Sequence, residues 1–223
     1  MKRSCTPVPR FEVDSYDWNE RHQFCQERAL REHADVIFIG DSITHFWENK
    51  HGGSVWEKYF KGKSVMNIGY GWDRTPNVLW RLNHGEFANQ SPKLLVLNIG
   101  TNNFAKTEAY PGDEPEDVAD GICAVIAKIH ELSPSTHILD MAVFPRIEPS
   151  HCDKVPALNR ILKERLAGLD YVTFLDITAS FMNPDGTRNN TYFRDGAHLT
   201  DEGYEVWANA LRPYLKQFAD MDI

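Results

Sequence analysis

The chain contains no apolar run near the roughly 20 residues that a membrane-crossing helix requires. Its N-terminus, MKRSCTPVPRFEVDSYDW, has basic residues with no apolar segment behind them. No signal peptide is therefore expected, and the cytoplasm is the default location. Cysteine is sparse. Cys5, Cys25, Cys123 and Cys152 never form a Cys-x-x-Cys pair, which argues against a zinc or dithiol site and needs no oxidising compartment. Basic charge is in deficit: 24 Lys and Arg against 32 Asp and Glu leave a formal net charge of -8. Nucleic acid is a poor match as main partner for such a chain, and no polybasic patch is available for a membrane surface. Internal repeats, low-complexity tracts and linkers are absent, as is the G-x-x-x-x-G-K-[ST] loop of phosphate binders. What is present is an ordinary globular composition, 42% hydrophobic and 25% charged over 223 residues, enough to bury a core without staples.

Five short apolar runs stand out: VIFIG from Val36, SVMNIG from Ser64, LLVLNIG from Leu94, HILDMAVFP from His137 and YVTFLDI from Tyr171. Several are nearly continuous, as expected of strands covered on both faces. Between them lie segments with helical spacing. Val78, Leu79 and Leu82 share one side; so do Val118, Ile122, Val125, Ile126 and Ile129. Leu158, Ile161, Leu162 and Leu166 follow, with Gly168 as the expected C-cap, and Thr200 as the expected N-cap of a last helix. An additional helix is expected within residues 14–33, and Trp80, Tyr204 and Trp207 read as core. Alternating strand and helix predicts one α/β domain with a parallel sheet wrapped by helices. The acidic, proline-containing stretch 109–117 and the stretch 183–190 read as loops.

Where the first strand ends, the sequence reads Gly40-Asp41-Ser42-Ile43-Thr44. Asp and Ser start helices and Gly permits a tight turn, so this fragment alone is an ordinary strand-to-helix junction. Yet the carboxyl edge of a parallel sheet is where open α/β folds bind ligands. Two more strands end in unusual polar residues there, NIGYGWD with Gly69 and Gly71, and NIGTNN with Gly100, Asn102 and Asn103. Just before the last helix comes FRDGAHLTDEG, with Asp195 and His198.

Acyl transfer at a serine needs an imidazole to take its proton, an acceptor to fix that imidazole, and donors for the oxyanion. Ser42, His198 and Asp195 could supply the first set. The N–H groups of Ser42 and Gly69 and the amide of Asn102 could supply the second. Each residue has a plainer alternative: a turn glycine for Gly69, a helix cap for Asn102, a surface loop or metal ligands for Asp195 and His198. The pair His151-Cys152 would suit a cysteine nucleophile but has no glycines nearby for an oxyanion site. No second His/Asp cluster accompanies Asp195 and His198, so neither a metal nor another cofactor is expected. Gly-x-Ser-x-Gly does not fit either, since position 44 is Thr.

Together the four blocks, GDSIT at 40–44, NIG at 67–69, GTNN at 100–103 and DGAHLT at 195–200, resemble those of the SGNH hydrolases, or GDSL-type esterases. The resemblance runs from about residue 35 to about 215. GWDRTPNVLWRLNHGEF, Gly-Thr-Asn-Asn and FPR at 144–146 look most like the branch of the platelet-activating-factor acetylhydrolase catalytic subunits. It implies a flavodoxin-like three-layer fold with a five-stranded sheet over residues 35–223, preceded by an N-terminal extension, 1–34, whose helix packs on the domain. It implies a serine esterase for short acyl, chiefly acetyl, esters, with Ser42, Asp195 and His198 catalytic and Ser42, Gly69 and Asn102 at the oxyanion. Trp72, Asn103 and Arg146 are expected to touch a small acylated substrate, and a homodimer is a possible assembly. Alternatives are a carbohydrate O-acetylesterase and a catalytically silent binding subunit. Trp72 departs from the small residue usual in that branch, and the segment around 108–115 looks inserted.

Overall fold

The computed structural model describes residues 2–10 and 12–223, the side chains of 149 and 150 excepted. Chain order begins with helix α1 (Trp18–Arg31), strand β1 (Val36–Gly40), helices α2 (Ser42–His45) and α3 (Gly53–Phe60), then β2 (Val65–Gly69) and α4 (Thr75–Asn83). It continues with β3 (Leu94–Asn98), α5 (Pro115–Leu132), β4 (His137–Met141), α6 (Pro149–Cys152), α7 (Lys154–Leu166), β5 (Val172–Leu175) and α8 (Asp201–Ala219). The strands form one parallel sheet in the order β2-β1-β3-β4-β5. Strand order reverses beside β1, the place where doubly wound sheets open a crevice for ligands, and Ser42 follows β1 directly.

Successive strand residues point to opposite faces, and both faces of this sheet are covered by an apolar core. Along β1, Ile37 and Ile39 face one core with Met66, Leu95, Val78 and Ile122, beneath α1, α4, α5 and α7. Val36 and Phe38 face the other, with Trp47, Trp56, Tyr204 and Trp207, beneath α2, α3 and α8. Trp207 and Tyr204 are fully buried there, and Trp80 packs partly buried against the first core.

Helix ends follow their side chains. Asp17 caps α1 by accepting from the N–H of Asn19 and Glu20, and Thr200 caps α8 by accepting from that of Gly203. α7 ends differently from expectation. Ala167 is its cap and Gly168 does not take the left-handed conformation; Leu169 N–H closes the turn on the Leu166 carbonyl at 3.1 Å. α3 was not read from the sequence, its GSVWEKYF being short and rich in β-prone aromatics.

α1 is bound into the first core by a buried polar cluster. Trp18 Nε1 donates to Asp73 Oδ1 at 3.0 Å, and His22 Nδ1 meets Glu86 Oε1 at 2.7 Å. Arg81 joins them, with Nε 2.7 Å from Asp73 Oδ2 and Nη1 paired with Glu86. Arg21 of the same helix donates from Nε to the Gly69 carbonyl at 2.7 Å. The stretch 109–117 is not an open loop. Tyr110 is buried beneath the Arg74 guanidinium, Asp113 N–H donates to the Asn103 carbonyl at 2.8 Å, and residues from Pro115 onward form the first turn of α5. Among the described residues no helix is long and apolar enough to cross a membrane.

Candidate active site

Ser42 is the first residue of α2, with Asp41 as N-cap accepting from Ile43 N–H at 2.9 Å. A hydroxyl in that position stands at the sheet's carboxyl edge, and its N–H is one of the unpaired donors of a helix start. His198 comes from the far end of the chain. Phe193 and Leu199 pair as an antiparallel bridge, and Arg194 N–H donates to the His198 carbonyl at 2.8 Å, folding 193–199 into a tight hairpin. His198 Nε2 lies 2.9 Å from Ser42 Oγ and its Nδ1 lies 2.8 Å from Asp195 Oδ2. Asp195 Oδ1 accepts from the N–H of Ala197 at 2.7 Å and of His198 at 2.8 Å, leaving Oδ2 for the imidazole. Burial alone would raise the Asp195 carboxyl; these N–H donors and the imidazole outweigh it and hold it at about 2. The carboxylate is thus ionised at neutral pH and available to the imidazole.

Phe46 and His51 flank the imidazole, at ring-centroid distances of 5.5 and 5.2 Å. Burial, then His198 itself, lowers the His51 imidazole to about 4, so it presents a neutral edge. Neither residue was singled out from the sequence, because both lie in the irregular stretch after α2 that carries no motif.

The expected oxyanion donors divide. Asn102 sits on the tight turn Thr101–Phe104, entered through Gly100 at φ 122°, where a side chain would be strained. Its Nδ2 gives one hydrogen to the Asp73 carbonyl at 3.1 Å and retains a second. Gly69 does not fit the role. Its N–H donates to Asn67 Oδ1 at 2.9 Å. Its lack of a side chain serves packing instead, since a Cβ there would lie 2.5 Å from His45 N. The unpaired donor on this turn is Trp72 N–H, for which no acceptor is present among the described residues. Trp72 is also in the left-handed region, φ 63°, at a cost of order 1–3 kcal/mol for a bulky residue. Strain of that kind persists only where neighbouring contacts impose it. The turn is tied to the strand end that carries the serine and to the Asn102 turn: Tyr70 N–H donates to the Gly40 carbonyl at 3.0 Å, and Asn102 is bonded to Asp73.

Two buried groups beside Ser42 are displaced from their ordinary values. Burial raises the Asp41 carboxyl to about 7 despite the Ile43 N–H, and Oδ2 has no partner among the described residues. Burial, then Arg21 and Arg81, lowers the His45 imidazole to about 3, so its Nδ1 is an acceptor and takes the Gly71 N–H at 3.3 Å.

Of the expected substrate contacts, only Trp72 faces solvent, at 40% exposure. Asn103 is fully buried. Its Nδ2 serves Thr75 Oγ1 and Asp113 Oδ2 at 3.0 and 2.9 Å and its Oδ1 accepts from Thr75 N–H, so its amide braces the turn and is not free for substrate. Arg146 is committed to a bidentate pair with Glu148 at 2.8 and 2.9 Å and to Thr101 Oγ1 at 3.1 Å. It lines a cavity of about 800 Å³ together with Arg160, Lys163, Arg188, Val155 and Met182. Cys152 directs its thiol to the Arg146 carbonyl at 3.6 Å.

Residues 38–206 match the model of the GDSL-like Lipase/Acylhydrolase family. The chain belongs to that family. It is a carboxylic ester hydrolase. Among relatives of this GDSL-like enzyme is platelet-activating factor acetylhydrolase IB subunit alpha1 of Rattus norvegicus, 30% identical over 219 residues, which are 97% of this chain and 90% of the relative. The alpha2 subunit of the same organism is 31% identical over 205 residues, 91% of this chain and 85% of that one. Solved structures of similar fold include a GDSL-like lipase from Bacteroides thetaiotaomicron, TM-score 0.69 at 19% identity, covering 90% of this chain and 99% of the other. A Geobacillus acetyl-xylooligosaccharide esterase gives 0.62 at 17% identity, covering 84% and 94%.

Proposed function

We propose that this enzyme hydrolyses short-chain acyl esters, acetyl esters first, with Ser42 as nucleophile. The observation carrying this reading is the continuous chain from Ser42 Oγ through the His198 imidazole to Asp195. Asp195 accepts from Nδ1–H, which leaves the Nε2 lone pair facing the hydroxyl. As Ser42 Oγ bonds to the ester carbonyl carbon, Nε2 takes its proton, and the carbonyl oxygen becomes an oxyanion. Ser42 N–H, Trp72 N–H and the second Asn102 hydrogen receive it. Collapse expels the alcohol with the proton from His198. Water, deprotonated by the same nitrogen, then releases the acyl group and restores the serine.

The acetyl preference is supported by the acetyl esters that the relatives are named for and by the folding of 109–117 onto Arg74 and Asn103, which leaves it no apolar lid to offer. A second reading, deacetylation of a glycan, is favoured by the exposed Trp72 ring on the turn that follows β2, a flat face on which a sugar can stack. Hydrolysis of p-nitrophenyl acetate should fall by roughly 10⁴ or more in Ser42→Ala. Full activity in that variant would end the reading, and an inactive wild type would favour a binding protein. A panel of acetylated xylan fragments, an sn-2-acetyl phospholipid and aryl esters from acetyl to octanoyl fixes the rest: octanoyl preferred over acetyl refutes the short-acyl assignment.

A further inference from the structure

If Trp72 N–H receives the oxyanion, something must hold its peptide in a conformation that tryptophan does not favour. The structure shows what does. The Gly71–Trp72 amide is one rigid plane, with the Gly71 oxygen at one end and the Trp72 N–H at the other. Tyr16 Oη donates to that oxygen at 3.0 Å. The next amide upstream is held as well, by Gly71 N–H on His45 Nδ1 at 3.3 Å. Tyr16 and His45 meet edge to face, with centroids 4.9 Å apart. Asp14 closes over the same spot, so that a Cβ on Gly71 would lie 2.2 Å from its Oδ2. Tyr16 is itself anchored, lying directly before the Asp17 cap and two residues before Trp18, which is bonded to Asp73 on the other side of Trp72.

Fixing the oxygen end of a planar amide fixes the direction of its N–H. A donor on the carbonyl also polarises the amide and strengthens its N–H as a donor. Burial, then Asp73, pushes the Tyr16 phenol far above its usual range, so it stays a donor at any working pH.

We propose that Tyr16, which lies outside the matched stretch 38–206, is a positioning residue for the reaction, holding the Gly71–Trp72 peptide so that its N–H meets the oxyanion. This rests on the reading of Ser42 as nucleophile. Tyr16→Phe removes one oxygen and keeps the ring against His45. Its kcat on p-nitrophenyl acetate should fall about tenfold, less than the 10²–10³ of losing a direct donor, with KM within about twofold, because the oxyanion exists only past the ground state.

The decisive measurement is the rate and site of covalent capture by a fluorophosphonate probe, whose phosphoryl oxygen occupies the oxyanion position during attack. Wild type should be labelled at Ser42, and Tyr16→Phe should be labelled at Ser42 about tenfold more slowly with an unchanged melting temperature. Labelling at Ser42 at the wild-type rate overturns the role of Tyr16 alone. Labelling at another residue overturns the nucleophile assignment and with it this proposal. Slower labelling that merely tracks a lowered melting temperature, with kcat and KM both changed, assigns Tyr16 a structural role and also overturns it.

Discussion

Two loops meet at Ser42, and they are built on opposite principles. The hairpin 193–199 presents side chains: Asp195 and His198 project from a backbone closed by its own bridge and by the Asp195 carboxylate. The turn 70–73 presents backbone: its free donor is an N–H, Tyr16 and His45 come from elsewhere to hold its peptides, and Trp18 holds the Asp73 carboxylate. A loop of the first kind can be read from its letters, because the reacting atoms belong to the residues named. A loop of the second kind cannot, because any residue except proline has an N–H, and only conformation decides which one is free.

The contrast can be tested most severely at Asn102, the side-chain donor that touches the backbone turn. Asn102→Ala should lower kcat by about 10²–10³ with KM little changed. A raised KM with intact kcat would make Asn102 a binding group and leave the turn without a partner in oxyanion binding. A smaller effect, on stability, tests the brace. In the folded state the His45 imidazole is lowered to about 3 from 6.5, so the unfolded chain binds the extra proton first. The stability it contributes is complete above about 6.5 and is lost as pH falls towards 3. At pH 5 the loss relative to pH 8 is roughly 2 kcal/mol, at about 1.4 kcal/mol per unit. Urea melts of wild type and His45→Gln at both pH values should show it as a difference absent from the variant; equal pH dependence would mean that His45 is not held neutral. The smallest effect is expected at Trp72→Gly. The N–H remains and the left-handed strain is relieved, so kcat on an aryl acetate should change only a few-fold while stability holds or rises by about 1 kcal/mol. A kcat loss near that of Asn102→Ala would show that the indole matters to the chemistry, blurring the distinction between the two loops.

Strand runs such as VIFIG and LLVLNIG were legible because both faces of a wrapped sheet demand apolar residues. Ser42, Asn102, Asp195 and His198 drew attention in the sequence because the candidate reacting or donating atom of each belongs to its side chain, and the structure joins Ser42, His198 and Asp195 by hydrogen bonds. Gly69 misled for the opposite reason: a glycine after a strand looks like room for a substrate, and here the room is taken by the backbone of α2. Asn103 misled because adjacent amides look alike in sequence, whereas the turn directs Asn102 to Asp73 and buries Asn103 against Thr75. Arg146 was placed near the site by its motif, but nothing in the sequence indicated that Glu148, two residues on, would occupy its guanidinium.

The buried cluster beneath the turn bears on where this enzyme begins as a cooperative unit. Asp73 and Glu86 are completely enclosed, and each draws one of its partners from α1. A chain shortened to start near β1 would strip Trp18 from one carboxylate and His22 from the other, and would remove Arg21 from the end of β2. Buried charges deprived of partners are among the most destabilising defects known. Residues 18–31 should therefore melt together with the sheet in one transition and exchange their amide hydrogens as slowly as the core. The family model matches residues 38–206, yet the buried cluster ties α1, which precedes that stretch, to the turn 70–73 and the sheet as one folding body.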